Sequence, residues 1–94
     1  MKAYWIAHVN ITDTQNYQKY MEAAKGVFSE YKAKLIARTD IGENLEGQAF
    51  ERHVVIEFRD METALECYQS ESYQYAKSLR DGCCEVMVTI IPIL

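Results

Sequence analysis

Apolar and polar positions change their period along this chain, and the changes mark out its elements. Residues 3–11 (Ala-Tyr-Trp-Ile-Ala-His-Val-Asn-Ile) are rich in aromatic and β-branched types and predict a first strand. Thr12-x-x-Gln15 fits a capping box, and Tyr17, Tyr20, Met21, Ala24, Val27, Phe28 and Tyr31 then recur at helical spacing. That spacing puts one apolar stripe on a helix of about five turns. Gly26 inside it costs roughly 1 kcal/mol against alanine, which the stripe absorbs. Residues 34–40, with Leu35, Ile36 and Ala37, predict a second strand. A loop holding Gly42, Asn44 and Gly47 leads to a third strand at 52–59. Asp60 is placed to cap a helix running to Gln69, with Ala64, Leu65 and Tyr68 inward. A further helical piece from Glu71 to Arg80 uses Tyr73, Ala76 and Leu79, and Gly82 is a stop residue. The last strand, Glu85 to Ile93, is apolar on both faces.

The predicted order is β-α-β-β-α-β over a single domain spanning residues 1–94. Right-handed crossovers in so short a chain favour an α+β, ferredoxin-like layout, a four-stranded antiparallel sheet with its helices on one face. Pro92 near the end of the last strand suits the edge position that this layout gives it.

A two-layer fold leaves one sheet face bare, and a bare antiparallel face should be polar at alternate positions. Here it is not. Alternation sets Trp5, Ala7 and Val9 against Tyr4, Ile6 and His8, and Val86, Val88 and Ile90 against Met87, Thr89 and Ile91. A face holding Tyr4, Ile6, Val55, Met87 and Ile91 is a larger apolar patch than soluble monomers show. The simplest cover is a second copy of the same sheet, so a homodimer through the open face is expected.

Composition narrows the partners. A net charge of −4 disfavours nucleic acid and anionic membranes, both of which call for a basic patch. No apolar run reaches the roughly 18 residues that span a bilayer. The N-terminus enters a strand pattern directly, without a separate apolar segment, and a cytoplasmic location is the expectation. Cys67, Cys83 and Cys84 are odd in number and lack C-x-x-C spacing, as expected of reduced thiols that serve as small hydrophobes. A disulfide between the neighbours Cys83 and Cys84 would be strained. Neither a metal site nor a cofactor is expected.

Several residues carry a family resemblance: Asp13 with Tyr17 and Tyr20, then Glu46-Gly47, then Arg52-x-Val-Val-Ile-Glu57-Phe58, Ala64, Tyr68-x-Ser70-x-x-Tyr73 and Arg80. On these the chain resembles the domain-of-unknown-function 1330 family of the dimeric α/β-barrel superfamily, nearly end to end. One feature departs from the family pattern: where a glycine turn usually separates the first helix from the second strand, this chain has Tyr31-Lys-Ala-Lys-Leu. The resemblance implies two ferredoxin-like subunits with their sheets packed together and no assigned activity. The superfamily implies small-molecule chemistry in the cavity between sheet and helices, by cofactor-free monooxygenases, haem-degrading enzymes and lactone isomerases. The same fold also serves as binding or stress-response modules.

If Val54, Ile56 and Phe58 face the helices, then His53, Val55 and Glu57 face away, with His8 beside them and Arg38 on the same side of the second strand. The first and third strands are neighbours in this topology, so His8 and Glu57 are the candidate catalytic pair, a carboxylate-oriented imidazole suited to proton transfer. The alternative is that the two satisfy one another, or an arginine, inside a dimer interface. Tyr20, Arg38, Arg52, His53, Tyr68, Tyr73 and Arg80 are the candidate ligand-binding residues. Tyr17, Tyr20 and Tyr31 belong first to the packing stripe. Tyr68, Tyr73 and Arg80 are placed to line a cavity mouth. Arg52 and Arg80 can hold a carboxylate bidentately or form fixed ion pairs. The acidic residues Glu43, Glu46 and Glu51 read as a solvated loop.

Other chemistries lack their residues. An RNA-recognition module needs a basic, aromatic third strand, and this one reads His-Val-Val-Ile-Glu-Phe. An acylphosphatase-type site needs a glycine-rich anion loop after the first strand, where Asn10-Ile-Thr-Asp-Thr stands instead. Asn10, Trp5 and His8 match the haem-degrading residue set in type only, all lying on one strand. No phosphate loop, nucleophile elbow or metal motif is present. Two function classes remain: a cofactor-free oxygenase- or isomerase-like enzyme acting on a small acid or lactone, and a non-catalytic dimeric binding or structural module.

Overall fold

Three helix caps fix where the chain turns between layers. The computed structural model describes residues 1–94. Its elements are β1 (Ala3–Ile11), α1 (Thr14–Glu30), β2 (Lys34–Thr39), β3 (Arg52–Phe58), α2 (Met61–Gln69), α3 (Glu71–Ser78) and β4 (Cys84–Pro92). Asp60 accepts from the Thr63 backbone N–H at 2.7 Å and starts α2. The Ser70 hydroxyl accepts from Tyr73 N–H at 3.1 Å and starts α3.

At α1 the cap differs from the expected one. Asp13 caps, accepting from Asn16 N–H, while the Thr12 hydroxyl donates to the Cys83 carbonyl at 2.8 Å. The Thr12 and Asp13 amides donate to that same carbonyl. Thr12 is thus taken up in tying β1 to the start of β4, and the next acceptor along the chain serves the helix.

The departure from a glycine turn after α1 is also resolved. Lys32 takes the left-handed conformation at φ 57°, and the Ala33 amide reaches back to the Phe28 carbonyl at 3.0 Å. A lysine therefore does the work usually given to glycine in a Schellman-type helix stop.

The sheet order is β2-β3-β1-β4, every neighbour antiparallel. This is the expected ferredoxin-like α+β arrangement, with β4 and Pro92 on an edge. The sheet of one protomer is open. Trp5 lies opposite Ile56 and Ile90, and Ala7 opposite Val54 and Val88, so these residues share the helix-facing side. Trp5 anchors the core, edge-on to Phe28 at 5.1 Å and to Tyr73 at 5.0 Å and stacked on Phe58 at 5.8 Å. From α1, Tyr17, Ala24 and Val27 are buried; from α2, Thr63, Ala64 and Cys67. Leu65, expected inward, is 43% exposed, because Thr63, Ala64 and Cys67 define the buried face of α2.

Strand β2 carries a bulge. Leu35 pairs with Ile56 and Ala37 with Val55, which leaves Ile36 unmatched. Beyond that point each side chain of β2 has changed face.

Candidate functional site

Between α1 and the sheet the packing is incomplete, and a cavity of about 470 Å³ remains. Its floor is Trp5, Val54, Ile56 and Val88; Tyr20 and Phe28 descend from α1. Fourteen of the nineteen lining residues are hydrophobic, so an occupant must be largely apolar. The exceptions are mostly cations. Lys25, Arg38, Arg52 and Arg80 border the space, and no carboxylate does. Three of the four arginines of an acidic chain converge on one cavity.

The three arginines arrive by different routes. Arg52 opens β3 opposite Val9, on the helix-facing side. Arg80 follows α3 in a tightened turn, where the amides of Leu79, Arg80 and Asp81 bond carbonyls three residues back. Helix α3 therefore ends at Ser78 and not at Arg80 as expected. Arg38 was expected on the open face, and the bulge at Ile36 moves it. Pairing with Val54 sets Arg38 on the helix-facing side, and it lines the cavity.

Their charges are met unequally. Arg52 is satisfied: Nε donates to Asp40 Oδ1 at 2.8 Å and Nη2 to Asp40 Oδ2 at 3.4 Å, with the guanidinium 5.8 Å from the Tyr17 ring centre. Arg38 is exposed to water. Arg80 has no anion. Its guanidinium lies 4.7 Å over the Tyr20 ring, Nη2 donates to the Tyr73 hydroxyl at 3.3 Å, and Nε is out of water with no acceptor. The Tyr20 and Tyr73 hydroxyls are 2.9 Å apart and complete a short Tyr20–Tyr73–Arg80 chain.

Burial sets the protonation states here. Desolvation, reinforced by Tyr73, pushes the Tyr20 phenol far above its ordinary range, and desolvation also raises Tyr17 against the pull of Arg52. Both remain neutral hydrogen-bonding groups at physiological pH. For Arg80, desolvation favours loss of charge, but its bond to Tyr73 and the field of both phenol oxygens outweigh it, so the group stays cationic. Burial lifts the Cys67 thiol to about 12. Burial and the neighbouring Cys84 lift Cys83 to about 11, so the buried thiols are protonated at neutral pH.

Of the residues singled out from the sequence, Tyr20, Arg38, Arg52 and Arg80 line the cavity. Tyr68 and Tyr73 do not reach its mouth; they pack on Trp5, and Tyr73 is fully buried behind Tyr20. His8, His53 and Glu57 lie on the other side of the sheet. His8 and Glu57 do not come together. His8 pairs with His53 across β1 and β3, their Nδ1 atoms 2.9 Å apart, while Glu57 lies opposite Tyr4 with the Lys2 ammonium at 3.6 Å. Four residues of strand, about 13 Å, separate the expected partners. Lys25 was not anticipated as a lining residue, although its place one turn beyond Met21, another lining residue, was available in the sequence. Glu43, Glu46 and Glu51 are exposed, in a loop tied to β1 by Asn10, whose amide bonds the Ala49 carbonyl at 2.9 Å and the Glu51 amide at 2.8 Å.

A family model described as "Domain of unknown function (DUF1330)" matches residues 2–94. No curated protein matches the sequence. Among solved structures, a protein of unknown function from Rhodopseudomonas palustris superposes with a TM-score of 0.82 at 13% identity, covering 99% of this chain and 82% of that one. A dimeric ferredoxin-like protein of unknown function from Bacteroides fragilis gives 0.66 at 11% identity, covering 98% and 96%. SnoaB, a cofactor-independent oxygenase from Streptomyces nogalater, gives 0.68 at 6% identity, covering 99% and 93%. At these identities the likeness is one of fold. No helix is long and apolar enough to cross a membrane.

Proposed function

Taking as premise that this chain belongs to the DUF1330 family, we propose that it is a homodimeric small-molecule-binding protein. Its ligand, a small and largely apolar acid or lactone, occupies the cavity between α1 and the sheet. The observation that carries this reading is the cavity itself, apolar on its floor and ringed by cations without a lining carboxylate. A core that needed only stability would have closed such a space, since each unfilled volume costs packing energy.

The homodimer rests on the opposite face. Met87 and Ile91 are 51% and 39% exposed there, beside the half-buried Tyr4, Ile6 and Val55. A two-fold copy of the sheet removes that patch from water, completes the dimeric α/β barrel and encloses the His8–His53 pair and Glu57 as interface groups. The dimeric ferredoxin-like protein from Bacteroides fragilis is consistent with this arrangement. Binding is favoured over proton-transfer catalysis because the cavity phenols are held neutral by burial and offer no base at physiological pH. SnoaB keeps the cofactor-free enzyme as the second reading.

The test is a thermal-shift panel of aromatic acids, lactones and their neutral analogues, run on wild type and on Val88→Trp, which fills the floor. Hits that stabilise wild type and are lost in the filled variant are expected. A panel without hits sinks the reading. Sedimentation at micromolar concentration should show twice the 10.9 kDa protomer mass, and a lone protomer removes the dimer.

A further inference from the structure

We propose that the ligand is a carboxylate anion and that Arg80 is its anchor, an inference that rests on the cavity reading above and names which of its acids and lactones belongs there. Arg80 and Arg52 bring two guanidiniums to one cavity, and their surroundings differ. Arg52 shows how a satisfied fork looks in this protein: Nε and Nη2 grip the two oxygens of Asp40 while the flat of the group faces the Tyr17 ring. Arg80 repeats the arrangement with one part missing. It too lies on a tyrosine ring, at 4.7 Å, and its Nη2 has a single long bond to Tyr73. Its Nε is the one buried polar side-chain atom in the chain with no partner. Its two partners in reach are the Tyr73 hydroxyl and the Tyr20 ring, and neither is a carboxylate. A partly buried cation with an unmet donor is costly, and proteins pair such groups. Nothing in the chain does so here.

The chemistry of the missing group follows. It must carry negative charge and present two coplanar oxygens to the guanidinium where Arg80 lines the cavity, as Asp40 does to Arg52, which describes a carboxylate. Phosphate is a poorer fit, because a dianion calls for several donors such as a ring of backbone N–H groups, and this end of the cavity supplies one guanidinium and two phenols. A lactone accepts a hydrogen bond but leaves the charge uncompensated. Arg38, water-exposed, draws the anion in without holding it, since solvent screens its pull. The body of the ligand then lies along Tyr20, Phe28 and Val88, which accept a flat apolar group.

Calorimetric titration with 2-naphthoate and its neutral isostere 2-naphthamide separates the possibilities. In wild type the acid is expected to bind at least tenfold more tightly than the amide. Arg80→Gln should abolish that preference, Arg80→Lys should restore only part of it, and Arg52→Gln and Arg38→Gln should each change it less than threefold. Equal affinities of acid and amide in wild type overturn the anion assignment while the cavity reading stands, and that comparison needs no variant to fold. An Arg80→Gln protein that keeps the preference overturns Arg80 as anchor. If neither probe binds, the cavity reading falls and takes this inference with it.

Discussion

Removing one oxygen atom, by Tyr73→Phe, tests whether the phenol pair behind the cavity is a coupled unit. The Tyr73 ring stays packed on Trp5, Phe28 and Tyr68, so no cavity is created. What disappears is a hydroxyl with two partners, Tyr20 at 2.9 Å and Arg80 Nη2 at 3.3 Å. Tyr73 is fully buried, so water cannot easily replace it. At about 1 kcal/mol for each lost bond the variant should be less stable by about 2 kcal/mol. Tyr20→Phe removes only the first bond and should cost about 1 kcal/mol. Because both variants delete that shared bond, the double variant should cost about 2 kcal/mol rather than the additive 3, a coupling of about 1 kcal/mol. Urea unfolding at one fixed protein concentration measures this, since the proposed association would add to stability by mass action. A Tyr73→Phe protein within about 0.3 kcal/mol of wild type, or single costs that simply add, would refute the reasoning.

Two further outcomes concern the frame around the site. Lys32 holds a left-handed backbone at φ 57° while exposed, so Lys32→Gly should stabilise the protein by about 0.5–1 kcal/mol, roughly a 4 °C rise in Tm, and a fall would show that the lysine stem contributes packing. Asp60 and Asp40 are held below the usual carboxylate range, the first by hydrogen bonds from Thr63 and the second by Arg52. A carboxyl whose folded pKa lies below its unfolded value adds stability that is fully present above the unfolded value and lost as pH falls through the folded one. The urea midpoint should therefore be level near pH 6 and decline below about pH 4. Asp60→Asn keeps a capping oxygen without the titration and should flatten part of that decline; an equally steep fall contradicts the assignment.

Local signals carried the architecture. Alternation in β1 and β4 sorted Trp5, Ala7 and Val9 from Tyr4, Ile6 and His8 correctly, and Asp60 and Ser70 announced their helices through side chains that reach only three residues ahead. The site was legible in its residue types and only partly in its geometry. The adjacency of β1 and β3 was readable, but their register was not, because it depends on where the loop from 40 to 51 returns the chain. That register set His8 against His53 and left Glu57 at the far end, beside Lys2. The stretch Lys-Leu-Ile-Ala-Arg in β2 has no glycine to advertise an irregularity, so its bulge emerges only from pairing with β3. The cap at Asp13 was displaced from Thr12 by a carbonyl 71 residues away, a competition no local window contains.

One unmatched residue in β2 decides on which side of the molecule a positive charge operates. With Ile36 in place, the guanidinium two positions on stands at the entrance to the ligand space. Were Ile36 drawn into a regular ladder opposite Val55, Arg38 would fall opposite His53 and emerge amid the greasy surface of the open face, where an unmatched cation would oppose the proposed association. Deleting Ile36 would instead leave Ala37 opposite Val55 and Arg38 opposite Val54, still on the cavity side. In this fold, the pairing register of an outer strand decides which face carries the charge, with no side chain replaced.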